Sequence, residues 1–244
     1  METTVQWSQV PGLTSPTFYE YLLVVHPTEE VYNRVYEEKK HFSSQYGVSV
    51  ARKTLPHITV ANFLAYEPME ETIIRYMNRI AGMRKSFGVT LNNYGSFRPH
   101  TVYLRVQNHE PFKQMAVALK AIDNYIQSCK LPAAYLVNNP HLTIARRLQR
   151  NEYETAVAHY SKKTFQASFE VNALVLLRRQ NQFDRCKEIS VFKLLPPDNI
   201  ASGFSQQNLF NLILWKIKYQ QCLAIVNANS CSYCSRMKNC GTAS

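Results

Sequence analysis

Glycine and long runs of one charge are scarce in this sequence. It has 7 glycines and 11 prolines in 244 residues, which argues against a low-complexity or fibrous chain. No run of lysine or arginine exceeds two residues, so the chain has no basic tail. Hydrophobic residues make up 45% of the sequence, an ordinary share for a globular protein with a substantial core.

Segments that would direct the chain to a membrane or out of the cell are also missing. Residues 1–17 contain no cationic stretch followed by an apolar run, so we expect no signal peptide. The most apolar late segment, residues 209–215, is short and is followed by lysines, which does not fit a transmembrane helix. Cys129 and Cys186 are therefore interpreted as reduced thiols, and we expect a cytoplasmic protein without a membrane partner.

Positive charge is in excess. The chain carries 28 lysines and arginines against 17 acidic residues, a formal charge of +11. Such a charge fits an anionic partner such as RNA, a nucleotide or another polyphosphate, and it equally fits a solvated basic surface.

Two short stretches nearly repeat each other. Residues 56–60 read PHITV, and residues 140–144 read PHLTI. On a strand, side chains two residues apart share a face, so each histidine lies beside its threonine while the apolar residues point the other way. If the two strands are neighbours, two imidazoles and two hydroxyls surround one position.

This combination suits chemistry at a phosphate ester. His57 and His141 can exchange protons near neutral pH, and the hydroxyls of Thr59 and Thr143 can donate hydrogen bonds to phosphate oxygens. A lone histidine on a strand is usually structural, and a metal site is conceivable, but neither motif contains a cysteine or carboxylate partner. Because the pattern occurs twice, we predict a catalytic histidine pair, a phosphate-binding threonine pair, and no metal or cofactor.

The order of predicted elements repeats as well. Each half has a strand, a helix, a His-Thr strand, a helix and a hairpin, which indicates an internal duplication. We expect an α+β fold with two lobes of antiparallel sheet flanked by helices and a central cleft. The predicted domain spans residues 1–196, with pseudo-repeats at about 16–107 and 108–196, and residues 197–244 are expected to form a flexible tail. The predicted strands are 18–25, 56–64, 87–91, 101–106, one at His141, 169–177 and 189–195, and the predicted helices are 28–45, 68–83, 111–129 and 152–162.

The motifs HITVANF and HLTIAR resemble the paired H-x-T signatures of the 2H phosphoesterase superfamily, in its 2′-5′ RNA ligase-like and cyclic phosphodiesterase branch. The resemblance covers roughly residues 16–196. It implies a bilobal fold with metal-independent activity on 2′,3′-cyclic phosphates, 2′-5′ phosphodiesters or cyclic nucleotides. The expected partner is an RNA terminus or a small cyclic nucleotide. By position, His57 and His141 match the catalytic pair, and Thr59 and Thr143 match the phosphate-binding pair.

Four further residues are predicted to bind substrate. The branch often has an aromatic residue where this chain has Asn62, and strict alternation instead places Phe63 on the face of the first motif histidine. The branch favours an arginine at Arg146, whereas alternation favours Arg147, and a bulge would decide between them. Phe97 resembles the aromatic residue that abuts the substrate base in this branch, although it could equally pack a hairpin.

Three functions remain open at this level. The first is a phosphodiesterase, for which hydrolysis is favoured over ligation because no P-loop or other adenylation motif is present. The second is a non-catalytic module that binds RNA or a nucleotide. The third assigns the tail a role in zinc or protein contacts, but its cysteines give only a weak zinc signal and fit exposed thiols as well: Cys222, Cys231, Cys234 and Cys240.

Overall fold

The computed structural model describes residues 17–181 and 184–197. The predicted tail, with its apolar segment and four cysteines, lies outside these residues. The strands are β1 (Phe18–Val25), β2 (Ile58–Tyr66), β3 (Phe87–Phe97), β4 (Thr101–Val106), β5 (Tyr135–Leu136), β6 (His141–Ala145), β7 (Gln166–Val171), β8 (Ala173–Arg179) and β9 (Lys187–Lys193). The helices are α1 (Glu29–Tyr46), α2 (Ser49–Lys53), α3 (Glu70–Ala81), α4 (Glu110–Ser128) and α5 (Arg150–Tyr160).

The predicted α+β class is confirmed. Within the described residues the strands form one antiparallel sheet in the order β7-β3-β4-β6-β2-β1-β8-β9, and β5 pairs with β2. The two halves of the sheet are continuous, because β2 and β6 pair at its centre, where Ile58 lies opposite Leu142. The two motifs thus lie on the strands that join the halves.

Apolar residues at regular spacing place the helices on one face of the sheet. In α3 the buried residues Ile73, Met77 and Ile80 recur every three or four positions, and they join a single core with the strand residues. In β1 the core residues Tyr21 and Leu23 alternate with side chains of the opposite face. We call the face that meets this core the helix-covered face and the other the open face. None of the helices in the described part is long and apolar enough to cross a membrane.

The predicted closing strand 169–177 is wrong. The chain forms two strands there, and they belong to opposite halves of the sheet: β7 pairs with β3, whereas β8 pairs with β1. The break lies at Asn172, whose backbone oxygen accepts the N–H of Leu194 at 2.8 Å. Because one asparagine inside an apolar run resembles an ordinary strand position, the sequence pattern did not reveal the crossing.

The buried carboxylate of Asp123 fixes the chain that leads into β5. Asp123 is 1% exposed, and it accepts the backbone N–H of Ala134 at 2.8 Å and the ammonium of Lys120 at 3.0 Å. We expect Asp123→Ala to lower the free energy of unfolding by about 1–3 kcal/mol, because the half-buried N–H of Ala134 loses its charged acceptor. Urea denaturation measures the change. Glu154→Ala is the control, since Glu154 forms an exposed pair with Arg150 on α5 and should change stability by about 0.5 kcal/mol or less. Equal effects of the two substitutions would contradict this interpretation.

Candidate active site

The two motifs face each other at the centre of the sheet. Ile58 and Leu142 are paired and fully buried on the helix-covered face. Continuing the antiparallel register sets Thr59 opposite His141, and it sets His57, which directly precedes β2, opposite Thr143. The four side chains alternate with buried residues and therefore lie on the open face. The structure brings together all four residues that the motifs predicted.

Both histidines are held in the same way. Nδ1 of His57 lies 2.8 Å from the backbone oxygen of Leu55, and Nδ1 of His141 lies 3.0 Å from that of Asn139. A carbonyl oxygen only accepts hydrogen bonds, so the neutral rings carry their proton on Nδ1. In each ring Nε2 is the nitrogen left to exchange a proton with a bound molecule.

The surroundings of His57 keep its imidazole neutral. Burial lowers the pKa of His57 to about 4, and the positive charges of Lys39, His26 and Arg146 act in the same direction, while the hydrogen bond to Leu55 opposes them. The ring of His26 lies 6.4 Å from that of His57, edge to face. His26 follows β1 and belongs to no motif, so no pattern along the chain singled it out.

The surroundings of His141 are aromatic. Its ring centroid lies 4.9 Å from that of Phe97 and 5.1 Å from that of Tyr103, and the latter two rings stack at 4.3 Å. Burial lowers the pKa of His141. Phe97 is 36% exposed, so the predicted aromatic lies beside a motif histidine with part of its ring open to a ligand. Tyr103 was missed, because only the pairing of β4 with β6 places it there.

Matched irregularities follow the two motifs. The partners of β2 shift by one residue after Thr59, so Val60 is an extra residue, and the partners of β6 shift in the same way after Thr143, so Ile144 is an extra residue. Such bulges interrupt the alternation of side chains. The residue five positions after each histidine therefore returns to the open face.

These bulges correct one prediction and decide another. Phe63 does not line the open face: it is 3% exposed and stacks on Tyr21 in the core, because the bulge moves Asn62 into the place that alternation gave Phe63. After the second motif the same shift places Arg146, and not Arg147, on the open face. The positive charge of Arg146 lowers the pKa of both His57 and Glu20. Arg147 is exposed beyond the end of β6 with φ of 60°.

Asn62 belongs to a polar group beside the motifs. Its amide donates to Glu20 at 2.7 Å, and Arg179 binds the same carboxylate through Nε at 2.7 Å and Nη2 at 2.8 Å. The hydrogen bonds from Arg179 hold the pKa of Glu20 below its usual value. In residues 17–181 and 184–197, no three histidine, cysteine or acidic side chains cluster so as to hold a metal ion.

Comparison with sequence profiles of known protein families shows which family the chain belongs to. The sequence profile of the 2′-5′ RNA ligase superfamily matches residues 28–183, which is more than half of the sequence and includes both motifs. The chain belongs to the 2′-5′ RNA ligase superfamily. The resemblance to the 2H phosphoesterases is thereby confirmed. A search of proteins with curated functions gave no match.

Several solved structures have a similar fold. TT0787 of Thermus thermophilus is 16% identical with a TM-score of 0.52, and the match covers 72% of this chain and 97% of that one. LigT of E. coli in its apo form is 16% identical with a TM-score of 0.51, over 73% of this chain and 98% of LigT. LigT complexed with 3′-AMP is 17% identical with a TM-score of 0.50, over 72% and 98%. At these identities the likeness concerns the fold.

The aromatic group of this superfamily member depends on Gly95. Gly95 lies opposite Tyr103, and a Cβ there would come within 2.7 Å of the Tyr103 ring. We expect Gly95→Ala to displace Tyr103 and with it the environment of His141, while His57 is unaffected. The Hε1 NMR resonances of the two histidines report this directly. Gly88→Ala is the control, since a Cβ there meets no atom within 4 Å. Unchanged His141 resonances in Gly95→Ala would contradict the expectation.

Proposed function

We propose that this protein is a metal-independent phosphodiesterase that acts on 2′,3′-cyclic phosphate, 2′-5′-linked or cyclic nucleotide substrates, either at an RNA terminus or as small molecules. The observation that supports this most is the central group of four side chains. Two imidazoles with Nε2 left for a ligand stand opposite two threonine hydroxyls on paired strands. A phosphate group bound there would have a proton donor, a proton acceptor and two hydrogen-bond donors within reach at the same time.

In this proposal His57 is the general base and His141 the general acid. His57 accepts the proton of the attacking water or 2′-hydroxyl, whose oxygen forms the new bond to phosphorus. His141 donates a proton to the oxygen that leaves as the old P–O bond breaks. Cationic neighbours favour a neutral His57, whereas the neighbours of His141 are the uncharged rings of Phe97 and Tyr103, which do not oppose its protonation by charge.

The remaining residues bind and orient the substrate in the proposal. Thr59 and Thr143 donate hydrogen bonds to the non-bridging oxygens, where charge develops during the reaction. Arg146 adds positive charge on the same face of the sheet. Phe97 is partly exposed and offers an aromatic contact to a nucleobase. LigT has been crystallised as a complex with 3′-AMP, and we extend this class of ligand from that relative to the present chain.

A non-catalytic module that binds RNA or a nucleotide is the second candidate. The formal charge of +11 and the partly exposed ring of Phe97 favour it. A panel of 2′,3′-cyclic phosphates, 2′-5′ and 3′-5′ dinucleotides and cyclic dinucleotides, incubated with chelator and read by product mass, distinguishes the two. Cleavage in the presence of chelator supports the phosphodiesterase. Salt-dependent binding without cleavage between about pH 5 and 9 supports the binding module.

Removal of either motif histidine should nearly abolish turnover. We expect His57→Ala and His141→Ala each to lower kcat by about 10²–10⁴-fold, the usual contribution of a general acid or base, with the melting temperature preserved. The matched control is His41→Ala, because His41 is an exposed histidine on α1. Steady-state kinetics on the best substrate of the panel measure the effect. Full activity in either motif variant would contradict the assignment.

The pH dependence of kcat/KM should have its maximum on the acid side of neutrality. Activity requires a neutral His57, whose pKa is about 4, so the acid limb falls off around that pH. It also requires a protonated His141, and burial lowers the pKa of that imidazole from its ordinary value, so activity declines again as the pH rises. The profile is therefore bell-shaped, and its two apparent pKa values belong to the pair. A maximum above about pH 7 would contradict this prediction.

A further inference from the structure

Helix α1 carries a buried lysine that the proposed chemistry does not use. Lys39 is 1% exposed, and its Nζ donates to the backbone oxygens of Thr143 at 2.8 Å and Ile144 at 3.3 Å. In the part of the chain that the structure describes, no carboxylate forms an ion pair with it. A buried ammonium without a counter-charge is costly. Its two hydrogen bonds to β6 are therefore its compensation, and they connect α1 directly to the second motif.

The two carbonyl groups lie where β6 departs from regular pairing. Ile144 is the extra residue of the bulge, and Thr143 is the motif residue before it. In a bulge the carbonyl oxygen of the extra residue needs a hydrogen-bond donor from outside the regular pairing. In the first motif the extra residue is Val60, and its oxygen accepts the backbone N–H of Val137 at 2.9 Å. At the matching position of the second motif the donor is a side chain from a helix. Lys39 thus donates to the bulge carbonyl of β6, as the backbone N–H of Val137 donates to the bulge carbonyl of β2.

We infer that Lys39 is a positioning residue of the active site, whose ammonium holds the β6 bulge in the form that presents Thr143 and Arg146 to the substrate phosphate. The inference rests on the proposed function. A strand that loses its bulge slips by one residue, and a slip of one residue exchanges the faces of all following side chains. Without Lys39, Arg147 therefore competes with Arg146 for the open face.

The positive charge of Lys39 also affects the pKa of His57, and this effect can be measured separately from the position of β6. Together with His26 and Arg146, it opposes protonation of His57 and so lowers the pKa of that imidazole. Burial and the nearby Arg146 lower the pKa of Lys39 itself to about 7. Replacing the lysine with an uncharged residue should therefore raise the pKa of His57, whether or not β6 moves.

The test compares Lys39→Met with Lys40→Met. Methionine has a similar length but cannot donate, and Lys40 is the neighbouring lysine, partly exposed and paired with Glu37. We expect Lys39→Met to lower kcat by about 10–100-fold, the effect of a misplacement near 1 Å, and to move the acid limb of kcat/KM to higher pH. Lys40→Met should match the wild type in both. A lysine that only stabilised the fold would lower the melting temperature and leave kcat unchanged, whereas the acid limb responds to the loss of charge in either case.

Lys39→Gln keeps the test decisive if Lys39→Met does not fold, because its amide retains a donor without the charge. Relative to Lys40→Met, we expect Lys39→Gln to lower kcat, by less than the 10–100-fold loss predicted for Lys39→Met, and to move the acid limb to higher pH. A folded variant that matches Lys40→Met in kcat would overturn the inference, whether or not its acid limb moves. If the wild type turns over no substrate, the proposed function fails separately. The backbone amide NMR resonances of residues 143–147 then decide the inference, because loss of the Lys39 hydrogen bonds should displace this segment, and unchanged resonances in Lys39→Met would overturn it.

Discussion

The site depends on the pairing of two short strands at the centre of the sheet. Where Ile58 meets Leu142, the helix-covered face buries two apolar side chains, and the open face receives the polar side chains on either side of them. Burial of the apolar pair fixes the register, because a slip of one residue would expose both. The same contact that joins the halves of the fold thus sets each histidine opposite the threonine of the other motif.

The two motifs are equivalent in backbone and different in surroundings. Each has a bulge after its threonine and a histidine whose Nδ1 faces the carbonyl two residues earlier. Around His57 the neighbours are cationic, whereas around His141 they are aromatic. Two motifs with the same backbone therefore have different electrostatic surroundings, which is the asymmetry that the proposed acid and base roles require.

Local pattern predicted the parts of the site that depend only on spacing along a strand. The two-residue spacing of His57 and Thr59 needs no tertiary information, and the order of elements sufficed for the α+β class. Phe63 was misplaced because Val60 and Ala61 are both apolar, so nothing in the sequence marks the bulge between them. The choice between Arg146 and Arg147 depended on the same feature. Lys39 could not be predicted, since its partner in β6 lies 104 residues away along the chain.

The central claim is that one phosphate group contacts both imidazoles. Its most direct test is imidazole ¹⁵N NMR of the full-length protein during titration with a nucleoside 3′-monophosphate. We expect the Nε2 resonances of His57 and His141 to shift together and to saturate at one equivalent. A shift of only one of them, or saturation at different ligand concentrations, would contradict it.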